Sequence, residues 1–150
     1  MSSTALITGA SKGLGAEFAR LFASKNVNLI LVARSEKELN ELKDELENRF
    51  NISVWTIAKD LTIPENVQAV YDEIKRAGTE VDYLVNNAGF GDFGYFADTE
   101  WERHRKMIEL NISTLSQFCH LFIQDWIPRK SGKILNVAST AAFQPGPGMS

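Results

Sequence analysis

Apolar residues in this chain fall into short continuous runs, separated by longer stretches in which they recur at helical spacing. Thr4–Thr8 is a compact run ending in glycine, and Asn28–Ala33, Ile52–Ala58, Val81–Val85 and Lys133–Val137 complete the set of predicted strands. Runs that do not alternate apolar with polar belong to strands covered on both faces. Between them, Leu14, Phe18, Leu21 and Phe22 form one helical stripe, and Leu39, Leu42 and Leu46 form another among Glu, Lys and Asp. Pro64 opens a third predicted helix carrying Val67, Val70, Tyr71 and Ile74, which Gly78 ends. A long helix is predicted from about Thr99 to Ile127, stopped by Pro128, and the segment Gln144–Gly148 reads as loop.

Strands and helices in alternation predict an α/β fold: one doubly wound parallel sheet, a Rossmann fold, with strand order 3-2-1-4-5. Residues 1–150 then form a single domain. Right-handed crossovers put every strand's carboxyl end on one edge, where ligands bind.

Composition narrows the function classes. A formal net charge of −3 gives no basic surface for nucleic acid or for an anionic membrane. The apolar run Leu29–Ala33 is far too short to cross a bilayer, and the amino terminus has neither a basic leader nor a long apolar stretch. Cys119 stands alone, which excludes an internal disulfide and favours a reducing compartment. The expectation is a cytoplasmic protein. His104 and His120 lack acidic or cysteine partners at ligand spacing, so no metal site is expected.

The chemistry begins at Thr8-Gly9-Ala10-Ser11-Lys12-Gly13-Leu14-Gly15, which follows a strand and opens a helix. Glycine lets the backbone turn tightly and lets a pyrophosphate approach without meeting a Cβ, while the positive helix end faces that phosphate. No Gly-Lys-Ser/Thr ending is present to hold a magnesium nucleotide triphosphate. A turn of this kind could also be purely structural. Three further elements follow: Asp60-Leu61 after the third strand, Asn86-Asn87-Ala88-Gly89 after the fourth, and Ser139 after the fifth. Each has a bland reading: Asp60 could cap the turn before Pro64, Asn87 could end a strand, and Ser139 could be a loop hydroxyl.

Taken together, these motifs resemble the short-chain dehydrogenase/reductase family over essentially the whole chain. The resemblance implies cofactor contacts from Gly9, Ser11, Lys12, Gly13, Leu14 and Gly15 in the first loop. It implies further contacts from Asp60 and Leu61, and from Asn87, Ala88 and Gly89. It places Asn111 and Ser139 at two of the family's four catalytic positions, although Asn111 could equally be an exposed helix residue. By the same resemblance Ser139 polarises the substrate oxygen and Asn111 holds a water in a proton relay.

The end of the second strand bears on the choice of cofactor. An NAD site wants a carboxylate there for the adenosine ribose, whereas this chain has Ala33-Arg34, with Ser35 as a neutral donor and Lys12 nearby. In the resembling family that combination goes with NADP. A charge-assisted hydrogen bond to a 2'-phosphate contributes roughly 1.5–3 kcal/mol, hence about 10- to 100-fold in affinity.

The family transfers hydride between the nicotinamide and a carbonyl carbon while a Tyr-x-x-x-Lys pair handles the proton. No such pair follows Ser139, and Tyr71, Tyr83 and Tyr95 all precede it. The expectation is therefore the amino-terminal part of a longer enzyme, lacking the last strands and inactive by itself. The substrate is expected to be a small carbonyl compound or secondary alcohol, with an apolar one suggested by Gly89–Phe96 and Ala141–Gly148. The parent is expected to be a homo-dimer or homo-tetramer. Two alternatives stay open: a non-catalytic nucleotide-sensing module, and an S-adenosylmethionine-dependent methyltransferase, against which the missing acid at Ala33-Arg34 argues.

Overall fold

The structure is a computed structural model that describes residues 3–144 and 146–148. Pro145, inside the predicted terminal loop, lies outside the described residues, as do Met1, Ser2, Met149 and Ser150. The strands are β1 (Thr4–Thr8), β2 (Asn28–Ala33), β3 (Val54–Ala58), β4 (Tyr83–Asn86) and β5 (Lys133–Asn136). They pair in parallel in the order β3-β2-β1-β4-β5, as the sequence pattern predicts. The order reverses between β1 and β4, and this switch point opens a crevice at the carboxyl edge.

The helices are α1 (Gly13–Ala23), α2 (Glu36–Arg49), α3 (Pro64–Arg76), α4 (Trp101–Ile108) and α5 (Leu115–Arg129). Successive strand residues point to opposite faces, so each strand feeds two apolar layers. Ala5, Ile7, Leu29 and Leu31 pack with α1 and α2 on one side. Leu6, Ile30, Val32 and Leu84 pack with α3 and α5 on the other, where Phe118 and Phe122 are fully buried. This double coverage is why the strands read as unbroken apolar runs.

Three expectations are corrected. The Leu14-Phe18-Leu21-Phe22 stripe of α1 faces the core only in part: Leu14 is 62% and Leu21 57% exposed, while Phe18 and Phe22 are half-buried and pack against it. The buried face is Gly15, Ala16, Ala19 and Ala23, small residues that let α1 settle closely on the sheet. The long helix is not continuous. Between α4 and α5, residues Glu109–Thr114 form a π-helical turn, and α5 passes through Pro128 to Arg129 before Lys130 ends it in a left-handed conformation. Pro128 sits so near the end that the helix loses only one ladder bond. Finally, β4 begins at Tyr83 rather than Val81; the Val81 carbonyl accepts from the Trp126 indole N–H at 2.7 Å and from Arg129.

No helix among the described residues is long and apolar enough to cross a membrane. All four residues of β5 are exposed, including Ile134 and Leu135. An uncovered strand at the sheet's edge invites pairing with another chain. These 150 residues by themselves are therefore expected to melt broadly and to self-associate. A monomer with one sharp, high-temperature calorimetric transition would contradict this.

Candidate cofactor site

At the end of β1 the chain turns through the glycine loop into α1. Lys12 occupies the N-cap position in extended conformation with no side-chain cap, and no acidic residue stands in the helix's first turn. The opening amides of α1 thus have no acceptor from a capping side chain, and the positive end of the helix dipole is not offset. α2 offers the contrast: Ser35 Oγ accepts from the Glu38 amide at 3.3 Å, and Glu36 and Glu38 stand in the first turn. One helix start is already satisfied by a side chain; the other has no side-chain cap, as helix starts that bind anions require.

Gly13 has φ of +57° and open space where a Cβ would sit, so the backbone there is both left-handed and bare toward solvent. Gly15 is required for the opposite reason. Its Cβ would stand 2.6 Å from Asn87 Nδ2 and closer still to the Gly9 carbonyl oxygen.

The loop is tied to the end of β4 by a compact polar lock. Thr8 Oγ accepts from the amides of Asn87 and Ala88, each at 3.0 Å, and donates to Val85 O at 3.4 Å. Asn87 Nδ2 donates to the carbonyls of Thr8 at 3.0 Å and Gly9 at 3.1 Å. Asn87 therefore holds the glycine loop's shape. Neither role of Thr8 is visible from sequence, because its partners lie on a different strand.

Between these elements lies a crevice of about 790 Å3. From the first loop it is lined by Gly9, Ser11, Lys12 and Leu14, and from the end of β2 by Arg34 and Ser35. Asp60, Leu61, Asn87, Ala88 and Gly89 complete the sequence-predicted part. Phe90, from the aromatic segment suggested for the substrate, lines it too, as do Glu38, Lys59, Thr62 and Leu110, which sequence reasoning missed. Gly13 and Gly15 shape the loop without lining the crevice, and Asn111 and Ser139 stand outside it. The bland reading of Asp60 is realised as well: its Oδ1 accepts from the Thr62 amide at 3.0 Å and from the Thr62 hydroxyl at 2.8 Å.

Asn111 sits in the π-helical turn, a distortion frequent at functional sites. Its Oδ1 accepts from the Phe90 amide at 3.1 Å and its Nδ2 donates to the Phe90 carbonyl at 2.8 Å. Both ends of the side chain are committed to positioning the segment after β4. Thr114, in the same turn, anchors it by donating to Leu61 O at 2.7 Å. Ser139 is exposed beyond β5, and its Oγ accepts from the Ala141 amide at 3.1 Å.

The aromatic segment divides. Phe90 lines the crevice, whereas Phe93, Tyr95, Phe96 and Trp101 are exposed. Asp92, buried, accepts from the Phe93 amide at 3.0 Å and pairs with Arg103 at 2.6 Å. His104 is buried and stacks on Phe96 at 4.6 Å, while His120 contacts Gln124 on the surface. The described residues contain no group of His, Cys, Asp and Glu that could hold a metal ion.

None of Tyr71, Tyr83 and Tyr95 lines the crevice. Burial, reinforced by a hydrogen bond to Asp125, pushes the Tyr71 hydroxyl up to about 12, away from neutral pH. Tyr83 packs on Phe22.

Comparison with known proteins gives the same picture. The sequence model of the family described as short chain dehydrogenase matches residues 3–150. The very-long-chain 3-oxoacyl-CoA reductase of Macaca fascicularis is 32% identical over 149 residues, 95% of this chain and 46% of the relative. A short-chain dehydrogenase from Sphingobium yanoikuyae in complex with NADPH superimposes with a TM-score of 0.92 at 34% identity, covering 99% of this chain and 57% of that one. L-sorbose reductase from Gluconobacter frateurii, complexed with NADPH and L-sorbose, gives 0.92 at 30% identity, with 99% and 56% covered. The chain spans about half the length of the curated relatives it matches. With the family model running from the first strand through the segment beyond Ser139, on a sheet of the same order and build, this chain belongs to the short-chain dehydrogenase family.

Proposed function

We propose that the crevice binds NADP(H), and that residues 1–150 are one Rossmann-type domain, the cofactor-binding part of a cytoplasmic oxidoreductase that interconverts a carbonyl and a secondary alcohol. The observation that carries this is electrostatic. Lys12 and Arg34 line the crevice without an ion pair to any described residue, beside a helix start that lacks a cap. The acid that would receive an unphosphorylated ribose at the end of β2 is absent: Ala33 and Arg34 stand there. Cations left unpaired around bare amides suit a ligand carrying several phosphates. Relatives of the same fold in complex with NADPH support the reading.

When bound, the cofactor supplies or accepts hydride at its nicotinamide. This chain's residues do the holding. The α1 amides and Ser11 suit the pyrophosphate, and Arg34, Lys12 and Ser35 suit the 2'-phosphate. By the family resemblance Asp60 and Leu61 would contact the adenine, and Asn87, Ala88 and Gly89, which line the same crevice, would contact the cofactor as well. Ser139 has its oxygen engaged by the Ala141 amide, which leaves its O–H free to donate to a substrate oxygen and stabilise charge developing there. Asn111, committed at both ends to Phe90, is a positioning residue. The proton step belongs to a Tyr-x-x-x-Lys pair of the kind the family resemblance calls for, which these residues do not contain.

The substrate in this reading is apolar near its carbonyl. The Gly94 amide donates to Gly148 O at 2.6 Å and the Phe93 ring rests on Gly148, so the segments after β4 and β5 are clasped. Phe93 and Phe143 stay exposed in these two segments. The exposed apolar residues Trp101, Ile112 and Ile127 on the α4–α5 side support assembly into a homo-dimer or homo-tetramer.

The test is titration with NADPH, NADH and S-adenosylmethionine. Arg34→Ala is expected to weaken NADPH by about tenfold or more while leaving NADH nearly unchanged. Equal losses for the two cofactors would overturn the assignment, and binding of S-adenosylmethionine alone would replace it.

A further inference from the structure

We infer that Lys59 is a further determinant of cofactor choice, joining Arg34 in holding the 2'-phosphate of NADP(H), and that Glu38 on the same crevice opposes that phosphate. The inference rests on the NADP(H) reading and names two residues of that site which the motifs do not.

The placement follows from the sheet. β2 and β3 run parallel with Ala33 beside Ala58, and the Lys59 amide donates to the Ala33 carbonyl at 2.9 Å. That bond closes the ladder one residue past β3. It sets Lys59 and Arg34 side by side at the strand ends, although they are far apart in sequence. Both line the crevice, and the first loop comes alongside through Ala10, whose amide donates to Val32 O at 3.3 Å. Lys12, Arg34 and Lys59 thus follow the carboxyl ends of β1, β2 and β3, three neighbouring strands.

The charges around them are unbalanced. Arg20 on α1 gives the contrast: it pairs with Glu45 at 2.7 Å and with Glu17 at 2.8 Å. Lys59 is half-buried, yet its ammonium meets no carboxylate among the described residues within ion-pair distance. A lysine that lays its stem against the protein and leaves its ammonium without a carboxylate partner has that charge available to an anion in the crevice. Asp60, its neighbour in sequence, is turned to the Thr62 amide and hydroxyl.

Magnitude separates two cations from three. A phosphate monoester carries a charge of roughly −1.5 to −2 at neutral pH. Arg34 and Lys12 together no more than match such a group, and Glu38, in the first turn of α2, brings a carboxylate to the same crevice that offsets one of them. Lys59 supplies the missing charge. Glu38 in turn keeps the preference for the phosphorylated cofactor below what the cations alone would give.

The experiment is calorimetric titration of wild type, Lys59→Gln, Lys59→Arg and Glu38→Gln with NADPH, NADH and 2',5'-ADP, with circular dichroism to verify the fold. Lys59→Gln is expected to weaken NADPH and 2',5'-ADP by about tenfold and to leave NADH within about twofold. Lys59→Arg should restore most of that loss, and Glu38→Gln should tighten NADPH by about threefold without altering NADH. If Lys59→Gln changes NADPH and NADH alike, or neither, while Arg34→Ala still discriminates, Lys59 has no such role and only this inference fails. If wild type itself binds NADPH no better than NADH, the underlying reading and the inference fall together.

Discussion

Replacing Gly15 with alanine is expected to weaken NADPH binding by about 100-fold, equivalent to roughly 2.7 kcal/mol. The direction runs against the usual preference, because alanine within a helix is ordinarily better than glycine by about 0.5–1 kcal/mol. Packing reverses the sign here. The added methyl would meet Asn87 Nδ2 at 2.6 Å and press on the Gly9 carbonyl oxygen, a backbone atom that Asn87 itself holds. Neither neighbour can yield without moving the loop. Forcing an extra carbon into such a contact costs about 1–3 kcal/mol, and the displaced loop no longer presents the α1 amides to a phosphate. Fluorescence titration decides the matter: a Gly15→Ala protein binding NADPH within about threefold of wild type would show that the close approach is unimportant.

The second large effect comes from a hydroxyl. Thr8 is 2% exposed, and its Oγ accepts from two backbone amides, those of Asn87 and Ala88. Thr8→Val preserves shape and leaves both amides without an acceptor, with the Val85 carbonyl losing its donor as well. Orphaning a buried donor costs about 1–3 kcal/mol, so a destabilisation of about 3 kcal/mol is expected once the partial exposure of the two residues is allowed for. Thr8→Ser, which keeps the oxygen, should recover most of it. Urea denaturation of the two variants against wild type measures the difference. A loss smaller than about 1 kcal/mol for Thr8→Val would mean that water satisfies these amides and that the lock is dispensable.

Both predictions concern the join between β1 and β4, and this is where the sequence was partly legible. The glycine loop and Asn86-Asn87-Ala88-Gly89 could be marked as functional from their residue types and their positions after strands. Their mutual dependence could not, since Thr8 and Asn87 meet only through the β1–β4 pairing. The same division holds for the helices. The spacing of Leu39, Leu42 and Leu46 identified the buried face of α2, because one strong apolar stripe admits one orientation. In α1 the pattern pointed to four large residues, whereas the sheet buried the small ones and took only Phe18 and Phe22 of the large, in part. A helix packed tightly against a sheet selects the face that fits, and hydrophobicity alone does not measure fit.

Asn111 shows the limit most clearly. Its residue type and place in the chain suggested a polar role, and the pattern around it suggested an unbroken helix. The structure widens the helix into a π turn there, and bonds to Phe90 and Leu61, on other segments, accompany it. Helical periodicity reports local spacing and carries no term for such cross-chain bonds.

The sequence by itself determined the five strands, the glycine-rich turn and the absence of an acid after β2, because each is written in contiguous residues whose local preferences agree, and the strand order followed from the alternation of strands and helices. Tertiary structure alone decided which side chains share the crevice. Lys59 and Glu38 come to the same crevice as Arg34 through strand register and helix placement, and the amides of Asn87 and Ala88 reach Thr8 through the sheet. Those meetings join residues distant along the chain, and the geometry that brings them together exists only once the strands have paired and the helices have packed on them.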